Sequence, residues 1–156
     1  MKNIVGIGEY AISDNKVNLL KTFALASCVA VTAYSPARKK GAMIHVALPE
    51  PDTEKDRMAR PGYYATTGIP LMIEKLCYEH GCTKGELEIK IFGGAESVRE
   101  NDIFNIGKRN IKAVVETLHN LHLRILSAQV GGKVSRTIEL DTNTGEVYIS
   151  TQPINI

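Results

Sequence analysis

The run Cys28-Val29-Ala30-Val31-Thr32-Ala33-Tyr34-Ser35-Pro36-Ala37-Arg38-Lys39-Lys40-Gly41-Ala42-Met43-Ile44-His45-Val46-Ala47-Leu48 reads as one hairpin. The first arm is rich in β-branched residues, Val29, Val31 and Thr32, which suit a pleated surface. Ser35-Pro36-Ala37-Arg38 is a turn signal with proline at its second position. Gly41 to Leu48 returns as a second strand, and Pro49-Glu50-Pro51 ends it because proline donates nothing to a ladder. If Ser35 to Arg38 form the turn, Tyr34 pairs with Lys39, and counting back sets His45 directly opposite Cys28. Opposed Cβ atoms of that kind lie about 4.5–5.5 Å apart on one face. A slip of one residue would put the two side chains on opposite faces.

Working outward, Ile4 to Ile12 is a candidate strand, and residues 50–62 form a polar, proline-containing surface loop. A helix is predicted from Thr67 to His80, with Ile69, Met72, Ile73, Leu76 and Cys77 on one face, Pro70 in its first turn and Gly81 as its stop. Glu86 to Phe92 alternates like a half-exposed strand, and Gly93-Gly94-Ala95 breaks it. A second helix spans Ile106 to Leu121, and Arg109-Asn110 is expected to tie its start to neighbouring strands. Leu123 to Val130 is a strand, and Thr137–Leu140 with Glu146–Ile149 make a final hairpin turned by Asn143-Thr144-Gly145. Strands at both ends and two helices between them predict an α+β fold, mostly antiparallel, with helices on one side.

The 156 residues suit a single catalytic domain, 1–156, able to bury a core without staples. With 44% hydrophobic and 23% charged residues the chain reads as globular. A net charge of +2 argues against nucleic acid as a partner. Glu9 interrupts any leader-like apolar run, and no stretch approaches a membrane span, so no membrane insertion is expected. Three cysteines, an odd number, at 28, 77 and 82 suggest reduced thiols in the cytoplasm. Cys77, His80 and Cys82 offer too few ligands at unusual spacing for a zinc site. Gly93-Gly94 lacks the spacing of a phosphate loop, so no metal and no cofactor is expected.

A thiol and an imidazole that meet across adjacent strands are the minimum equipment for nucleophilic catalysis. Thr22 is a candidate third member to hold the imidazole, and the backbone near Ser27 and Cys28 a candidate oxyanion site. These residues also suit plain core packing, and by themselves they leave both readings open.

Thr22, Ser27-Cys28-Val29-Ala30-Val31 and Gly41 to Pro49 together resemble the chemoreceptor glutamine deamidase family, CheD. Lys90 to Ala95, Ile106 to Asn110, Val130-Gly131-Gly132 and Thr144 to Val147 extend the resemblance over nearly the whole chain. It implies a cysteine hydrolase converting glutamine side chains of methyl-accepting chemotaxis receptors to glutamate, with methyl esters as a second candidate substrate. It assigns Cys28 as nucleophile, His45 as base and acid and Thr22 as third member. It implies a layered fold similar to the cytotoxic necrotizing factor type of deamidase, with two sheets packed together and helices on one side. It also implies a CheC-type phosphatase as partner. The alternative is a non-catalytic module that regulates such a phosphatase. Three departures from the family pattern stand out: Ala26 where glycine is usual, Ile44 before the histidine, and Ser135 before Arg136. Alanine at 26 is expected to remove access to a positive φ beside the nucleophile.

Overall fold

The computed structural model describes residues 1–97 and 104–154. Among these residues nine strands form two sheets: β1 Lys2–Ile4, β2 Tyr10–Ile12, β3 Leu19–Leu25, β4 Val29–Ser35, β5 Lys40–Val46, β6 Glu88–Gly93, β7 Ile125–Val130, β8 Val134–Asp141 and β9 Val147–Pro153. The four-stranded sheet has the order β1-β3-β8-β9 and the five-stranded sheet β2-β5-β4-β6-β7. Pairings are antiparallel except β1 with β3 and β6 with β7. The α-helices among the described residues are α1 Glu54–Ala59, α2 Ala65–Tyr78 and α3 Ile106–Asn120. α3 is the crossover that parallel β6 and β7 require.

The central hairpin explains the layering. Every residue of β4 is buried, so both of its faces meet a core. Val29, Val31 and Ala33 on β4 and Ile44 and Val46 on β5 pack with Ile69, Met72 and Leu76 of α2 and with Val114 and Leu118 of α3. The opposite face, with Ala30, Met43 and Phe92, packs on Leu20, Leu25, Ile138 and Leu140 of the four-stranded sheet. The result is sheet on sheet with helices on one side, the predicted α+β layering.

Several boundaries differ from the sequence reading. Ile4 to Ile12 is two short strands in different sheets, because the chain turns at Gly8, which has φ 79°. The strand β3 went unpredicted, although it supplies an inner strand of the four-stranded sheet. The polar stretch 50–62 holds α1, capped by the Thr53 hydroxyl accepting from the Asp56 amide at 3.1 Å. Pro70 lies inside α2, beyond its first turn, because the helix begins earlier, at Ala65.

Candidate active site

The four-residue turn Pro36–Lys39 sets the central register, since Ser35 pairs with Lys40. Lys39 takes a positive φ of 51° to close it. His45 therefore stands opposite Ala30, and Val29 opposite Val46. The expected direct opposition of His45 and Cys28 is corrected by two residues. Two is an even number, so the face is preserved: Cys28, the residue before β4, packs with Ala30 and Met43 on the side that His45 also faces.

Cys28 sits between the sheets in a second sense. β3 ends at Leu25 in one sheet and β4 begins at Val29 in the other, so Ala26, Ser27 and Cys28 are the entire connection. A bulge between Thr22 and Leu25 redirects the strand. Ala24 carries it with φ 53°, its amide donating to Thr137 Oγ1 at 3.0 Å. The residues with positive φ do not include Ala26, so the expected conformational penalty of alanine at 26 does not arise; the unusual backbone is two residues earlier.

Thr22 lies on β3, across the intersheet layer from His45 rather than on the hairpin. Both residues are almost fully buried, at 0% and 2% exposure. Thr22 Oγ1 is 2.6 Å from the Val5 carbonyl oxygen and 2.7 Å from His45 Nδ1. A carbonyl only accepts, so the single hydroxyl proton goes to Val5. The hydroxyl must then accept from Nδ1–H, which fixes the tautomer by the hydrogen-bond network. Nε2 is left as the proton acceptor, and it is buried without a hydrogen-bond partner among the described residues. The His45 backbone is clamped as well: Gly8 N–H donates to its carbonyl at 2.8 Å and its N–H to Glu9 at 3.1 Å.

Burial dominates the electrostatics. It lowers the His45 pKa to about 4 and raises that of the half-buried Cys28 thiol. Both shifts favour the uncharged forms, thiol and imidazole.

The carbonyls around Cys28 are each held. Ala95 N–H donates to Ala26 O at 2.7 Å and Gly94 N–H to Cys28 O at 2.8 Å. Gly93 has φ 108°, and a Cβ there would collide with the Cys28 carbonyl oxygen. Asn110 of α3 donates from Nδ2 to Ser27 O at 2.9 Å and to Ala47 O at 3.0 Å. The expected tie between this helix start and the strands is thus made by Asn110. The Ser27 and Cys28 amides have no hydrogen-bond acceptor among the described residues. Val5, whose carbonyl anchors Thr22, went unrecognised, since a backbone group leaves no mark on residue type.

Two hollows flank the group. One of about 260 Å³ is lined by Ala26, Ser27, Ala95, Ile106 and Gly107. A larger one, about 550 Å³, lies between residues 3–11 and 59–63. It is lined by none of Thr22, Cys28 and His45, but Gly8 and Glu9 in its wall bond the His45 backbone. Cys77, His80 and Cys82 form no metal-holding group among the described residues.

The family model described as CheD chemotactic sensory transduction matches residues 47–151. A relative from Syntrophotalea carbinolica, the "Probable chemoreceptor glutamine deamidase CheD", is 44% identical over 94% of this chain and 92% of its own. The "Chemoreceptor glutamine deamidase CheD" of Thermotoga maritima is 39% identical over 96% and 91%. The Bacillus licheniformis hypothetical protein YfiH aligns with 74% of this chain and 50% of its own at 14% identity and a TM-score of 0.43, too slight a likeness to bear on the fold. With a family model over two thirds of its length and relatives along nearly all of it, this chain belongs to the CheD family.

Proposed function

We infer that the chain is a protein-glutamine deamidase acting on chemoreceptors, with Cys28 as nucleophile, His45 as base and acid, and Thr22 as the residue that holds the imidazole. The observation that carries this reading is the Val5–Thr22–His45 relay, which leaves Nε2 buried and without a partner among the described residues, on the side of the sheet where Cys28 packs. It is supported by relatives that bear the name chemoreceptor glutamine deamidase.

The reaction begins with the neutral pair. Nε2 takes the thiol proton as Cys28 Sγ bonds to the glutamine carboxamide carbon. The Ser27 and Cys28 amides donate to the oxyanion of the tetrahedral intermediate. The C–N bond breaks, the Nε2 proton goes to the leaving nitrogen, and ammonia departs from a thioester. Water then gives a proton to Nε2 and its oxygen to the acyl carbon. The C–S bond breaks, Sγ recovers the proton, and glutamate is released. The scheme uses no cofactor. Methyl-ester hydrolysis follows the same steps with methanol as leaving group.

Residues 1–156 act as one catalytic unit in this reading. No described helix is long and apolar enough to cross a membrane. The free cysteines suit a reducing cytoplasm. A CheC-type phosphatase is the proposed partner, for which exposed Met58 and Ile7 offer apolar contacts beside the larger hollow. The decisive experiment is ammonia release from a purified receptor cytoplasmic fragment. Cys28→Ala is expected to abolish it. Undiminished release would overturn the scheme, and a phosphatase complex that survives the substitution would separate binding from catalysis.

A further inference from the structure

We propose that Asn110 is a positioning residue for the oxyanion site, acting on the Ser27–Cys28 peptide from the far side of the sheet. The proposal rests on Cys28 being the nucleophile. Its basis is a set of contacts that packing does not require.

Asn110 is fully buried on α3, on the same stripe as Gly107, Val114, Thr117 and Leu118. Burying an amide is costly unless it is hydrogen-bonded. Its Nδ2 spends both protons on carbonyls from two different strand ends, Ser27 O at 2.9 Å and Ala47 O at 3.0 Å. Ser27 precedes the nucleophile, and Ala47 is two residues beyond His45. One side chain therefore fixes the spacing between the start of β4 and the end of β5 where the candidate pair sits. Two carbonyl acceptors also fix the amide's orientation, because only the NH₂ end can satisfy them. The consequence is that Oδ1 is left buried with no partner among the described residues. Leaving a buried acceptor unsatisfied is costly. A purely structural tie would be made more cheaply by a residue with no leftover acceptor.

The effect on chemistry follows from peptide planarity. In a trans peptide the C=O and the following N–H point in opposite directions. With the Ser27 carbonyl held toward α3, the Cys28 N–H is directed away from it. The Ala95 amide does the same for the preceding peptide: it holds Ala26 O, and so aims the Ser27 N–H. Gly94 holds Cys28 O. Three consecutive carbonyls are thereby engaged, while the amides of Ser27 and Cys28 stay without an acceptor among the described residues. Donors that are fixed before the charge develops need no reorganisation as it forms. Of the three clamps, Asn110 is the only side chain, and so the one that substitution can remove without breaking the main-chain turn.

The test uses the full chain and four proteins: wild type, Asn110→Leu, Asn110→Asp and Cys28→Ala. Two rates are compared. Ammonia release from a receptor cytoplasmic fragment passes through an oxyanion, whereas alkylation of Cys28 by iodoacetamide does not. Asn110→Leu is expected to lower kcat by about 10- to 100-fold, below the full effect of deleting a donor. KM and the alkylation rate should stay within about twofold. Asn110→Asp retains a donor only while its carboxyl is protonated, so its kcat should fall as pH rises through that titration, a dependence the wild type lacks. This second variant tests the proposal even where the leucine variant fails to fold. Undiminished kcat in folded Asn110→Leu, a kcat of Asn110→Asp that does not fall with rising pH, or alkylation falling in step with kcat would overturn the role. A wild type that alkylates but releases no ammonia would instead overturn the deamidase reading itself.

Discussion

His45 holds its proton on Nδ1 because the Thr22 hydroxyl has already committed its own to the Val5 carbonyl. Valine at 22 keeps the shape and removes the acceptor, leaving a buried Nδ1–H unsatisfied at a cost of about 1–3 kcal/mol. It also frees the ring to take the wrong tautomer. Thr22→Val is expected to lower kcat for ammonia release about 10- to 100-fold, at or below the low end of the roughly 10²–10⁴ that losing the base altogether would cost, while Thr22→Ser retains most of it. Equal activity in the valine and serine variants would refute the relay. Iodoacetamide alkylation reads the thiol directly. With its pKa raised above the ordinary 9.0 by burial, the rate should climb throughout pH 7–9 rather than plateau, and His45→Ala should lower it at neutral pH.

At the scale of elements, the connection from β3 to β4 works because other elements hold each of its peptides. The turn after β6 supplies two amides to it, and Gly107 lets α3 approach that turn, where a Cβ would meet the Ala95 carbonyl oxygen. Gly93→Ala tests this arrangement. A φ of 108° is strained for any residue with a Cβ, and the new methyl would strike the Cys28 carbonyl oxygen. The expected loss is about 2–4 kcal/mol in urea unfolding, from backbone strain plus steric displacement, with a further fall in Cys28 alkylation. Unchanged unfolding would mean that the turn and the nucleophile segment are not coupled.

At the scale of the whole molecule, the packing of one sheet on the other buries an imidazole, and that makes stability depend on acid. His45 has a folded pKa of about 4 against an ordinary 6.5. Between those values the unfolded chain binds the proton and the folded chain does not. Stability is therefore full above about pH 6.5, declines as pH falls toward 4, and loses nothing more from this group below that. The loss amounts to about 3 kcal/mol. Glu86, held by Ser35, Thr83 and Arg38 at a pKa of about 2, adds its own loss only lower, between its ordinary 4.5 and 2. Urea midpoints at pH 7 and pH 4.5 should differ in the wild type and differ much less in His45→Gln. The same slope in both would show that His45 is not the group responsible.

The sequence by itself determined the hairpin, both long helices, the β6 strand and the terminal hairpin, because each announces itself by a local period or turn residue. Val29, Val31 and Thr32 mark a strand whatever surrounds them, and Gly145 marks its turn. It also singled out Cys28, His45 and Thr22. It did not reveal β3, since Leu19-Leu20-Lys21-Thr22-Phe23-Ala24-Leu25 has neither a clean alternation nor a turn signal at its end; its pairing with β8 is more than a hundred residues away in sequence. The register of the hairpin was open by two residues because Pro36 fits more than one turn length. Only the tertiary structure decided that Thr22 reaches His45 from the opposite sheet, that Nε2 is the free nitrogen, and that Asn110 holds the peptide before Cys28. Those facts depend on how far two layers approach, a distance set by packing of the whole core and encoded in no single segment.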